Sequence, residues 1–194
     1  MINNSEITTK TTTSQVAGLM PGDSNIEFVG VHNTQKVLWL RNGHTLEFKY
    51  LPKWAYRICQ QQYLNDNAAI EQLSRLHVNE ERQVELYIYH MYGDLDTTAD
   101  ILNGALTPSE NFRHSKNDPS LNWDHKWITL GDAILTPRDL KIIDLIIADM
   151  PDKAIALELG ISQSTLDFHK RNLYTRANVC SKTALIIKAL NQKI

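Results

Sequence analysis

The run SQSTLDFHKRNLYTRA, residues 162–177, holds the side chains with the most to do chemically. Setting Leu166, Leu173 and Ala177 at the centre of a buried helical stripe and advancing 100° per residue puts Ser164, Phe168, Arg171 and Thr175 on the far side, flanked by Asp167. These types in this order fit the edges of base pairs. Arg171 can donate two hydrogen bonds to guanine O6 and N7, worth about 1–3 kcal/mol against a wrong base, and Asp167, which only accepts, selects a cytosine amino group. Phe168 offers its ring to a thymine methyl. The plain alternatives are a solvated helix face and a ring packed on an upstream domain. Around the rim, Lys153, Thr165, His169, Lys170, Arg176 and Lys182 suit backbone phosphates. His169 lies near the buried edge of the wheel, which makes it a structural or phosphate-bonding imidazole before a metal ligand or catalytic base.

Such a helix needs a scaffold, and residues 135–190 spell one. Ile142, Leu145 and Ile146, then Ile155, Ala156 and Leu159, then Leu166, Leu173 and Ala177 give each segment one apolar stripe. The pattern reads as four short helices with a tight turn between the second and third. Gly160 ends one helix in a left-handed conformation, Ile161 plugs the core and Ser162 caps the next helix. Ser181 caps the last helix, SKTALIIKAL, which is more apolar than three packed neighbours require.

The segment resembles the LuxR-type helix-turn-helix domain found at the DNA-binding end of GerE, of NarL- and FixJ-type regulators and of quorum-sensing regulators. The resemblance rests on the Leu-Thr-Pro-Arg-Asp opening, Lys153 followed by Ile155-Ala156, the Leu-Gly-Ile-Ser turn at 159–162, Thr165-Leu166, His169, Asn172 and the close at 179–183. It implies a recognition helix over 163–177 in the major groove of double-stranded DNA and a homodimer paired through Leu185, Ile186 and Ala189. RNA polymerase is a further partner that it admits. Ala177 stands where the family usually has Leu, which leaves a core gap and a less stable domain, and Asn178 where it usually has Gly. Asn tolerates the left-handed turn next best.

The 194-residue chain is long enough for two small domains. Residues 136–194 hold nine Lys or Arg against six Asp or Glu, and residues 1–135 eleven against sixteen, so the balance is +3 downstream and −5 upstream. That sign favours phosphate contact at the C-terminal end. No run of about 18 apolar residues and no secretory pattern occurs, so the expected location is cytoplasmic. Cys59 and Cys180 are too few for a disulfide framework or a zinc site, and are expected to be free thiols.

Upstream, the expected organisation is a disordered tail over 1–25, a small α+β domain over 26–103, a linker over 104–126 and the all-α helix-turn-helix domain over 127–194, with 127–134 as a short strand or collar. Asn42-Gly43 between strand-like runs predicts a hairpin in which Trp39 faces Leu46 and Val37 faces Phe48. Pro52, Asp66 and Asn79 each mark a helix start. Trp39, Tyr50, Trp54 and Tyr56 fit either a ligand pocket or core packing, and packing is the default. A small-molecule ligand is left open, and no cofactor, metal or catalytic residue is expected. Strands followed by helices do not give a receiver's alternating βα pattern, and the ordered part is too short for an acyl-homoserine-lactone sensor. A recombinase-like enzyme with a terminal helix-turn-helix needs early arginines, and the first 40 residues have none. A helix-turn-helix adaptor or anti-activator that binds protein instead of DNA is the runner-up.

Overall fold

The computed structural model describes residues 15–194. Two apolar cores organise them. The first draws on residues 26–123 and the second on residues 128–194.

Strands β1 (Glu27–Val31), β2 (Lys36–Arg41) and β3 (His44–Glu47) form an antiparallel sheet in that order. Asn42 and Gly43 both take positive φ, +52° and +78°, which is what a two-residue turn with the twist of its strands demands. Trp39 therefore lies opposite Leu46, as the turn predicts. The helices α1 (Lys53–Leu64), α2 (Asn67–Ser74) and α3 (Glu80–Tyr92) follow. Asp66 and Asn79 cap the latter two, each accepting from a backbone N–H three residues on at 2.9 Å. The sheet, α1 and α2 all pack on α3. That central place explains why Tyr89, His90 and Tyr92 are buried along with Val84, Tyr87, Ile88 and Met91.

Two expectations need correction. Residues 15–25 are not a tail but fold over the hairpin: Gly43 N–H donates to the Gly18 carbonyl at 3.0 Å and Asn42 N–H to that of Asp23 at 2.8 Å. Leu40 is consequently buried on the sheet face opposite Trp39, and Leu46 is left exposed. The rest of the expected tail, 1–14, lies outside the described residues. The supposed linker over 104–126 is packed structure as well. A hairpin, β4 (Ile101–Leu102) and β5 (Ala105–Leu106), opens it, and Asp118, Ser120 and Trp123 are buried in it. Trp123 stacks on Tyr87 with centroids 5.3 Å apart.

A third hairpin, β6 (Thr129–Leu130) and β7 (Ala133–Ile134), leads into α4 (Pro137–Ile147), α5 (Asp152–Glu158), α6 (Gln163–Arg176) and α7 (Lys182–Asn191). The molecule is thus α+β upstream and, after the short β6–β7 hairpin, all-α downstream. All four downstream helices end alike. Asp149, Gly160, Asn178 and Lys193 take φ between +50° and +63°, and in each case that residue's own N–H and the next one return to carbonyls of the last turn, for example Val179 to Tyr174 at 3.0 Å. Asn178 does adopt the left-handed conformation. No helix among the described residues is long and apolar enough to cross a membrane.

Candidate nucleic-acid interface

The helix pair α5–α6 is fixed at both ends by local chemistry. Gly160 at φ +63° reverses the chain after α5, and the Ser162 hydroxyl accepts the Thr165 N–H at 3.1 Å, which starts α6. Leu166 and Leu173 hold the inner face of α6 in the second core, and Ala177 is buried just past its end. At the start of α4, Thr136 and Asp139 form a reciprocal capping box. Asp139 also takes a 2.6 Å ion pair from Arg176, which ties the end of α6 to the start of α4. Burial pushes the Asp139 carboxyl up, but the Arg176 and Thr136 hydrogen bonds outweigh it and hold its pKa below the usual carboxylate value.

The outer face of α6 is free. Ser164, Asp167, Phe168 and Arg171 are all exposed, and Phe168 shows 56% of its surface to solvent. The Arg171 side chain meets only the Asp167 carbonyl, at 3.3 Å, so its guanidinium edge is available. The structure therefore brings the four base-contact candidates onto one exposed strip.

The six phosphate candidates are placed differently from one another. Lys153 is exposed at the start of α5 and makes no ion pair among the described residues. Lys170 is held by Asp152 at 2.7 Å, Arg176 by Asp139, and Lys182 by Asp149 at 2.7 Å. The Thr165 hydroxyl lies 2.8 Å from that of Ser162, and His169 faces Arg138 at 3.4 Å. Arg138, on α4, went unmarked in the sequence, although it sits in the quoted Leu-Thr-Pro-Arg-Asp opening. A helical wheel cannot see it, because it reaches the rim of α6 from another helix.

The expected dimer residues need correction. Leu185 and Ala189 are fully buried in the domain's own core, and Ile186 is partly buried against it. The exposed apolar residues of α7 are Ile187 and Leu190, at 55% and 57%. The four upstream aromatics do not surround one cavity: Trp39 borders one cleft and Tyr56 another, while Tyr50 and Trp54 lie at the surface. Cys59 is buried, Cys180 is exposed, and both are free.

Known proteins agree with this geometry. Residues 133–189 match the GerE family, described as bacterial regulatory proteins of the luxR family. The transcriptional regulatory protein MctR of Rhizobium johnstonii is 38% identical over 64 residues, 33% of this chain and 30% of that protein. The oxygen regulatory protein NreC is 32% identical in Staphylococcus haemolyticus over 132 residues, 68% of this chain and 52% of that protein. The NreC of Staphylococcus epidermidis is 30% identical over 133 residues, covering 68% and 53%. The chain thus spans about half the length of these NreC relatives and less than a third of MctR. No solved structure gives a significant match. The capped turn, the exposed face of α6 and the family match coincide: residues 133–189 are a helix-turn-helix domain of the LuxR family.

Proposed function

We propose that the chain is a cytoplasmic, non-enzymatic transcription regulator that binds double-stranded DNA sequence-specifically, with α6 in the major groove, and acts as a homodimer. The observation that carries this reading is the exposed strip Ser164, Asp167, Phe168 and Arg171 on a helix whose two ends are pinned. Arg171 and Asp167 read base edges, and Phe168 meets a thymine methyl. Lys153, Arg138 and the first N–H groups of α6 hold phosphates. Lys170, Arg176 and Lys182 join them only by leaving their carboxylates, so nonspecific affinity is modest. The similarity to regulators named MctR and NreC supports the reading. The upstream domain then serves as a sensing or oligomerising module, and the chain admits RNA polymerase as a further partner.

Asp167 supplies the test, because a carboxylate on the groove face repels phosphate. In a mobility-shift titration, Asp167→Lys tightens binding to random-sequence duplex and steepens the slope of log K against log salt by about 0.9 for the one phosphate it gains. Unchanged affinity and slope would mean that α6 does not face DNA. That outcome would favour a helix-turn-helix adaptor or anti-activator that binds protein, a reading encouraged by the internal pairing of Lys170, Arg176 and Lys182.

Dimerisation is assigned to the exposed side of α7. Ile187→Glu lowers cooperative binding to a two-half-site duplex by about tenfold, part of the ~1.5–3 kcal/mol that full burial of an Ile contributes, and leaves single-half-site affinity unchanged. Equal loss on both duplexes would place the defect in the fold instead.

A further inference from the structure

A second site lies on the upstream domain, where it meets the end of α7. Glu27 opens β1 and is 0% exposed. Its Oε1 accepts the Asp96 N–H at 2.9 Å, but its Oε2 is buried with no hydrogen-bond partner in the protein. Glu110 repeats the arrangement from another segment: Oε2 accepts the Asp94 N–H at 2.8 Å, and Oε1 is buried and unpartnered. One oxygen each from Glu27, Asp96 and Glu110 lies within 4.8 Å of the other two.

Two neighbouring buried carboxylates, each with one unsatisfied oxygen, are expensive to hold, since each has lost water and sits beside other acids. The separation has a simple meaning. Oxygens bound to one Ca²⁺ at about 2.3–2.6 Å lie no further apart than twice that, roughly 4.6–5.2 Å. A cleft of about 410 Å³ opens beside Asp96 and Glu110 and leaves room for waters to complete a shell of six to eight oxygens. With carboxylates and no His or Cys in the set, the site suits a hard cation and not zinc.

We propose that Glu27, Asp96 and Glu110 form a site for an oxygen-preferring divalent cation. Its position gives the ion a consequence. Lys193, just beyond α7, pairs with Asp94, and Asn111, next to Glu110, accepts the Thr129 N–H at 2.8 Å and donates to the Gln192 carbonyl at 3.4 Å. An ion at the three acids therefore fixes the segments that hold the upstream domain against the helix-turn-helix domain.

The test uses the full chain stripped with EDTA and then given CaCl₂, MgCl₂ or MnCl₂ separately, at matched ionic strength. One of the three binds one-to-one by calorimetry and, at a hundredfold excess over its Kd, raises the melting temperature by about 5–10 °C. Glu27→Gln and Glu110→Gln abolish that rise. Each keeps the far-UV circular dichroism and the cooperative melt of the metal-free parent, so loss of binding cannot be put down to unfolding. Absence of heat and of any melting shift with all three salts would overturn the proposal, as would a parent-like response in the Glu27→Gln, Glu110→Gln double variant. Neither readout involves DNA, so this proposal and the DNA-binding reading stand or fall separately.

Discussion

Arg113→Ala lowers the unfolding free energy by about 3–5 kcal/mol. Arg113 donates to both oxygens of Asp144, at 3.0 and 3.1 Å, and both side chains are more than nine-tenths shielded from solvent. Asp144 belongs to α4, in the second core, whereas Arg113 comes from the segment that closes over α3, so the pair stitches the two cores together. Removing the guanidinium leaves a buried carboxylate with nothing to replace it, and that uncompensated charge is the origin of the loss. Denaturant unfolding of Arg113→Ala, Asp144→Ala and the double variant measures it. The double variant regains part of the loss, because the orphaned charge is gone. A shift under about 1 kcal/mol for Arg113→Ala would show that water, not Arg113, satisfies Asp144.

Arg171→Ala weakens binding to the preferred site by about 1–3 kcal/mol, roughly 5- to 150-fold, and relaxes the choice at one base position. The guanidinium is exposed and held only by the Asp167 carbonyl, so its removal leaves the fold intact. Affinity for random DNA changes far less, since a base contact and not a phosphate contact is lost. Parallel titrations on selected and random duplexes separate the two. An equal loss on both would reassign Arg171 to a phosphate.

What could be read from the sequence was what depends on neighbours along the chain. Ser162, Ser181, Asp66 and Asn79 cap the helices they were expected to cap, because a cap needs only the N–H three residues on. Asn42-Gly43 set the hairpin register for the same reason. Asn103-Gly104 carries the same signal and the same positive φ, +52° and +81°, but its strands are two residues long and gave no alternation to notice. The polar stretch after Gly104 looked like a linker because its anchors are long-range: Arg113 finds Asp144, and Asp118 holds the buried His90 at 3.0 Å. On α7 the stripe of Leu185 and Ala189 and the stripe of Ile187 and Leu190 are both apolar. Periodicity alone cannot say which of them faces the core. The pairing of Lys170, Arg176 and Lys182 also joins separate elements, so it too was invisible in the helical wheel.

Selection from a pool of random double-stranded DNA by the full-length protein, followed by sequencing of the bound fraction, tests the central claim most directly. DNA reading through α6 predicts an enriched two-fold motif containing a guanine that the Arg171→Ala protein no longer requires. A bound pool that keeps the random composition of the input would contradict it.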